Sequence, residues 1–316
     1  MKPTIDVHCH MGGSYPVEFV HKIAQQQRLV IDISDTRQQM VYGEFEYRDF
    51  YRFLGKFKLL DKIQWTEELV DESIKAICDN IVTAGLDYVW MDFSVNKFIP
   101  SMGWNRKEAI AFVCDAYRRH GGKRVGLILS LKYESQPGAQ IQMAKVVENP
   151  NIVDGLIGID LVGDEKKFDC DFYQSIFRDW NKAGKITRTH TGESQSLQNV
   201  IDSINKLNVT NIAHGFKILE DEDAVKLAKD KQVTFDLAIT SNYLTGVVPE
   251  YRRDTMFHPI IDMVRKGLRV TIGSDDPVVC NTTLEAEFKL AKKLGLTNDE
   301  LVELQVVAAQ NSRRFR

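Results

Sequence analysis

Short runs of β-branched and apolar residues recur along the chain, and longer stretches separate them in which apolar positions return every three or four residues against a polar face. Eight such runs stand out: Thr4 to His10, Tyr88 to Phe93, Val125 to Leu131, Leu156 to Leu161, Ile186 to His190, Asn211 to His214, Thr234 to Leu237 and Arg269 to Ser274. Runs this short read as buried strands, and the segments between them read as helices. Two of those segments carry acids early and lysines late, the order that a helix dipole favours: Asp221 to Lys229 and Thr283 to Ala291. Eight strands alternating with helices predict a parallel α/β barrel of the (β/α)8 type, a TIM barrel. An open doubly wound sheet is the main competitor, but no G-x-G-x-x-G follows the first strand.

The first connection breaks the rhythm. Roughly seventy-five residues separate His10 from Tyr88, where a simple βα unit needs about thirty. Extra helices inserted after strand one are therefore expected. Phe45, Phe50, Tyr51, Phe53, Leu54 and Phe57 make one part of the insertion aromatic, above the C-terminal mouth of the barrel. Most of these rings should pack the added helices onto the barrel, with one or two left over for a lid.

Composition narrows the field. Of 316 residues, 43% are hydrophobic and 27% charged, ordinary values for a packed globular chain. A net charge of -3 sets up no field for nucleic acid, and basic doublets such as Arg252-Arg253 and Arg313-Arg314 are too short to track a polyphosphate. No apolar run reaches the length of a membrane span, and the N-terminus passes into a strand pattern without a signal-peptide core. The five cysteines (Cys9, Cys78, Cys114, Cys170, Cys280) are scattered and never form C-x-x-C, so reduced thiols are expected. A cytoplasmic location follows as the expectation, with neither nucleic acid nor membrane as a partner. With no repeat and no Pro/Gly/Ser-rich linker, a single domain over residues 1–316 is the simplest account.

In a parallel barrel the reactive side chains sit at the C-terminal ends of strands. Strand one ends in His8 and His10, strand five in His190, strand six in His214, and strand eight runs into Asp275-Asp276. Four of the seven histidines and an acidic pair thus fall where a barrel would gather them. Strand residues two apart share a face, so His8 and His10 point inward together. An H-x-H alone is more often two hydrogen-bonded strand histidines; the conjunction with His190 and Asp275 favours a metal site. Imidazoles with a carboxylate form the usual catalytic zinc set, which keeps one position for water. His8, His10, His190 and Asp275 are the expected ligands of one Zn2+ per chain. Another first-row divalent ion would suit the same donors, since affinity order and availability also decide.

Glu193 lies three residues past His190, after Gly192, where it can give or take a proton above the metal. Taken alone it would be an acid in a helix first turn. His214 is a base, an electrostatic partner or a further ligand, and spacing does not choose among them. Asp276 should point away from Asp275 and be free for substrate; as an alternative, both cap the next segment. His21, His120 and His258 read as structural or surface residues.

Six short motifs occur in order: His8-Cys9-His10, Gly158-Ile159-Asp160-Leu161-Val162-Gly163-Asp164-Glu165, His190-Thr191-Gly192-Glu193, Ala213-His214-Gly215, Ser241-Asn242-Tyr243-Leu244-Thr245-Gly246 and Ser274-Asp275-Asp276-Pro277. Together, and over nearly the whole chain, they resemble the adenosine deaminase family of the amidohydrolase superfamily. That resemblance implies zinc-dependent conversion of an aminopurine nucleoside to its oxo form with release of ammonia. It also implies that Glu193 protonates the ring nitrogen beside the attacked carbon and that His214 orients or deprotonates the water. Gly163, Asp276, Gly12 and His10 are placed against the substrate. The H-x-E…P-C-x-x-C signature of zinc base deaminases is absent.

One departure bears on substrate. Where relatives carry an acid that meets the sugar, this chain has Gly12, which offers no side-chain acceptor, and Met91-Asp92-Phe93-Ser94 lacks the arginine and tyrosine often found there. Adenosine or deoxyadenosine is the leading substrate expectation. An N6-substituted or 5′-extended adenosine, for which Gly12 would leave room, or adenine, is the runner-up. From a different class stands a nucleoside-binding relative that has lost catalysis.

Overall fold

The computed structural model describes residues 2–44, 46–133, 137–248 and 257–315. Phe45 of the aromatic segment and the Arg252-Arg253 doublet lie outside them.

Eight strands run in parallel, each paired with its neighbour in sequence: β1 (Ile5–His10), β2 (Tyr88–Phe93), β3 (Val125–Lys132), β4 (Leu156–Val162), β5 (Ile186–Thr191), β6 (Asn211–His214), β7 (Thr234–Leu237) and β8 (Arg269–Ile272). The ring closes at the top of β1, where His10 N donates to Asp275 O at 2.7 Å and Asp275 N to His8 O at 2.8 Å. The expected (β/α)8 barrel is the fold. β8 stops at Ile272, two residues before the expected end. Beyond it, Gly273 passes so close to β1 that a Cβ there would lie 2.4 Å from His8 Cβ, and Ser274 turns its hydroxyl onto Asp6 at 2.7 Å.

Among its described residues the inserted connection holds five α-helices: α1 (Val17–Gln26), α2 (Ile33–Met40), α3 (Phe50–Gly55), α4 (Lys58–Lys62) and α5 (Glu67–Thr83). Side chains of Asp32, Asp49 and Thr66 accept from backbone amides at the starts of α2, α3 and α5, supplying partners for otherwise orphaned N–H groups. The two later helices run Glu222–Asp230 and Leu284–Leu294, with Asp221 and Thr283 as caps just outside them.

Strand alternation sorts the barrel into an outer apolar shell and a graded interior. Met91, Leu129 and Ile159 pack outward into the main core. Inward, Trp90, Ile128 and Ile186 fill the bottom, where Ala308 and Phe315 seal it. One step up each strand, Asp92, Asp160 and Arg188 form a polar layer, and the imidazoles stand above it. Among the described residues no helix is long and apolar enough to cross a membrane, and all five cysteines are buried and unpaired.

Candidate active site

His8, His10, His190 and Asp275 meet at the C-terminal mouth. His190 Nε2 lies 3.2 Å from His8 Nε2 and 3.1 Å from His10 Nε2, while Asp275 Oδ1 lies 3.7 Å and 3.3 Å from those same two nitrogens. Donors held 2.0–2.1 Å from a tetrahedral ion sit roughly 3.3 Å apart, so this spacing suits zinc. The tautomers suit it too. His8 Nδ1 donates to Asp236 O at 2.9 Å, and His190 Nδ1 donates to Asp160 at 3.2 Å, leaving both Nε2 lone pairs facing the centre. Lone pairs at such separations repel one another unless a cation lies between them. The donor set fits a metal.

Beneath it sits a residue that the strand pattern did not single out. Arg188, fully buried, bonds Asp160 Oδ2 at 2.7 Å and Val7 O at 2.8 Å, pairs closely with Asp92, and reaches Asp236 Oδ2 at 3.4 Å. Asp160 and Asp236 are the residues that hold His190 and His8. One guanidinium therefore locks the supports of two candidate ligands. Burial pushes Asp92 up to about 8 and Asp236 up to about 6, whereas for Asp160 burial is outweighed by His190 and Arg188, which hold its carboxyl below the ordinary range. Asp160 therefore stays charged against His190.

Gly192, at φ +69°, turns the chain after β5 and delivers Glu193 over the centre. The turn is pinned by Glu165, which accepts from the amides of Gly192, Ser194 and Gln195. Glu193 Oε1 accepts from Asn242 at 3.0 Å and from Thr245 at 3.3 Å, and Oε2 lies 3.8 Å from His214 Nε2. Burial, reinforced by Asp275, pushes Glu193 up to about 8. Asn242 also donates to His214 Nδ1 at 3.1 Å. His214 is buried, and that burial pushes it down to about 3, so its one proton sits on Nε2, facing Glu193 and Asp275 Oδ2. In this tautomer His214 offers a donor to the site, and its ring stands with His8 and His190 in a group whose ligand atoms could also surround a metal ion. His214 and Asp275 both adopt left-handed backbone, at φ +61° and +58°, a region uncommon for residues other than glycine that Arg28, Asn208, Gln232 and Asn281 also enter elsewhere in the chain.

Asp276 departs from expectation. Its carboxyl does not turn away from Asp275 but hydrogen-bonds with it, and burial together with that neighbour holds it well above the usual carboxylate range. Its other oxygen, Oδ1, is buried with no partner among the described residues. Gly13 makes room for it, since a Cβ at 13 would lie 2.0 Å from Asp276 Oδ1.

A cavity of about 830 Å³ opens over these groups, with His10, Gly12, Gly163 and Asp276 all in its wall. Gly163 has φ +108°, a conformation that exposes its backbone to the cavity. The space beside Gly12 is not vacant as expected: a Cβ there would touch the Phe57 ring at 3.4 Å. Phe50, Phe53, Leu54 and Phe57 roof the cavity, while Tyr51 is 55% exposed and outside it. The remaining histidines lie elsewhere: His21 bonds Thr36, His120 bonds Asp71, and His258 is fully buried against Tyr243.

A parallel barrel that gathers imidazoles and a carboxylate at its mouth, below a buried acid, is the architecture of the amidohydrolases. The family model for adenosine deaminase matches residues 3–313, and the chain belongs to that family. It is accordingly a hydrolase acting on C–N bonds of cyclic amidines. An adenosine deaminase from Vibrio atlanticus is 26% identical over 98% of this chain and 93% of its own length. Two solved structures share the fold. One is an amidohydrolase from Burkholderia ambifaria with bound Zn, at TM-score 0.82 and 20% identity over 98% of this chain and 85% of the other. The other is the N6-methyl-AMP deaminase of Arabidopsis thaliana, at TM-score 0.80 and 18% identity over 100% and 93%.

Proposed function

We propose that the protein is a zinc-dependent aminopurine deaminase that converts adenosine or deoxyadenosine, or an adenosine carrying an added group, to the inosine form with release of ammonia. The observation that carries this reading is Glu193. Its Oε1 is held by Asn242 and Thr245, which leaves Oε2 on the cavity side, and burial favours the protonated acid near neutral pH. His8, His10, His190 and Asp275 would hold the zinc. When bound, Zn2+ lowers the pKa of a coordinated water from about 15.7 toward about 7.

The chain's own groups supply the rest. Glu193 Oε2 gives its proton to the ring nitrogen beside the amino-bearing carbon, so that carbon accepts oxygen more readily. His214 Nε2–H orients the attacking oxygen. Asp276, through the Oδ1 that has no partner among the described residues, meets a second ring nitrogen, and the Gly163 backbone meets a third. A C–O bond forms and the water gives up both its protons: one passes through Glu193 to the amino group, which leaves as ammonia as the C–N bond breaks, and the other restores the proton that Glu193 gave to the ring. The retained acid, donor and ligand set speaks against a binding protein without catalysis.

Residues 1–316 act in this reading as one catalytic domain, since the site draws on β1, β5, β6 and the loop after β8. A cytoplasmic location accords with five unpaired, buried thiols. The test is ammonia release by metal-assayed protein from adenosine, 2′-deoxyadenosine, adenine, N6-methyladenosine and their 5′-modified forms. Release from at least one at a catalytic rate is expected; release from none would overturn the reading.

A further inference from the structure

The short helix Ile239–Leu244 carries Asn242, and Thr245 follows directly at its end, so both partners of Glu193 Oε1 ride on one element after β7. Six residues make less than two turns, too few to hold a helix by its own hydrogen bonds. Its N-cap is Ala238, which has no side-chain oxygen to accept from the first amides. Buried amides need a partner, and theirs comes from another helix.

Glu287, on the helix Leu284–Leu294, is fully buried. Its Oε2 accepts from Ile239 N at 2.9 Å and from Thr240 N at 3.0 Å. Its Oε1 accepts from the Thr282 hydroxyl at 2.7 Å and from the Thr240 hydroxyl. One carboxyl thus serves as the N-cap of a helix 48 residues away, and ties it to Thr282, in the segment after β8 that also bears Asp275 and Asp276. Burial pushes Glu287 above the ordinary carboxylate range, and all four hydrogen bonds pull it down. Taking such a group out of water is costly, and bonds of this kind offset the cost. Glu287 is not part of the cavity wall, so it acts on the site only through what it holds.

We propose that Glu287 is a positioning residue for deamination: by accepting from Ile239 N and Thr240 N it fixes the first turn of the helix, and with it the Asn242 amide and Thr245 hydroxyl that hold Glu193. The role given to Glu193 rests on the deaminase reading. What counts is the reach of the two oxygens and not the charge. A glutamine has the same reach, since its amide oxygen accepts from the two backbone amides while its NH2 group donates to the threonine hydroxyls, which turn to accept. An aspartate keeps the charge but is one methylene shorter, and does not meet the helix amides and Thr282 together.

Two variants separate reach from charge. In Glu287→Asp, kcat per zinc-loaded site should fall roughly tenfold, about the worth of one lost hydrogen bond, with KM nearly unchanged. In Glu287→Gln it should stay close to wild type. Because the effect runs through Asn242, Glu287→Asp combined with Asn242→Ala should be little slower than Asn242→Ala alone, a non-additivity that a general loss of stability would not give. Amide hydrogen exchange over residues 239–245 needs no turnover; it should quicken in Glu287→Asp and hold at the wild-type rate in Glu287→Gln. Wild-type kcat in Glu287→Asp, an equal loss in Glu287→Gln, or multiplicative losses in the double variant would overturn the positioning role while leaving deamination intact. No ammonia release by wild type, with exchange still quickened in Glu287→Asp, would overturn the deaminase reading and leave the hold of Glu287 on Asn242 and Thr245 standing.

Discussion

Asn242 donates to Glu193 Oε1 at 3.0 Å, and its other amide hydrogen reaches His214 Nδ1 at 3.1 Å. One side chain therefore fixes both the rotamer of the acid and the tautomer of the imidazole. Asn242→Ala should lower kcat by roughly ten- to a hundredfold, the range of a general-acid contribution, with a smaller change in KM and bound metal retained. Steady-state kinetics beside metal analysis checks this. A purely structural role would instead lower the amount of folded protein and leave kcat per folded site unchanged.

Arg188 should matter to the metal centre without touching it. Truncation in Arg188→Met leaves Asp92, Asp160 and Asp236 crowded and unpaired, a change that costs about 3–5 kcal/mol for buried pairs. Denaturant titration should register that loss, and competition with a chelator should show weaker zinc retention, because Asp160 and the Asp236 carbonyl no longer hold His190 and His8 firmly. Full stability and unaltered zinc affinity would refute the positioning role.

Gly13→Ala places a methyl where Asp276 now sits, 2.0 Å from Oδ1. Asp276 must swing away, so KM should rise about tenfold while the zinc content stays near wild type, as expected when one substrate hydrogen bond is lost. Kinetics and metal assay on the same sample decide it.

His258 gives a pH signature outside the active site. It is fully buried, its Nδ1 accepts from Ile260 N at 3.1 Å, and burial pushes its pKa down to about 3. The unfolded chain takes up a proton near pH 6.5 that the folded chain refuses, so this group's contribution is complete above that pH and is lost as pH falls toward 3. Across that window it should add about 1.4 kcal/mol per pH unit to the slope of stability against pH. His258→Leu should flatten the slope by that amount; an identical slope would show that His258 titrates normally.

What could be read in the sequence divides along physical lines. The gathering of His8, His10, His190 and Asp275 was legible because strand alternation and the barrel rule both act locally: the histidines lie at the ends of β1 and β5, and Asp275 in the loop just past β8. The bounds of β2, β6 and β7 coincide with the apolar runs for the same reason. Arg188 was invisible as a functional residue because its meaning depends on three carboxylates from other strands, brought to it only by closure of the ring. Asn242 and Thr245 stood inside a recognised motif, yet nothing in their spacing told that they face Glu193. Gly13 looked like part of a turn, and only the packing of Asp276 shows why a side chain is excluded there. The length of the first connection announced added helices; that Phe57 would fill the space beside Gly12 was a tertiary fact.

The most direct test of the central claim is Glu193→Gln, which keeps the shape of the side chain and the contacts of Oε1 with Asn242 and Thr245 but removes the transferable proton. With zinc measured in the same sample, the account predicts about one zinc per chain and ammonia release at least about a hundredfold slower than wild type. Ammonia release at the wild-type rate from zinc-loaded Glu193→Gln would contradict it.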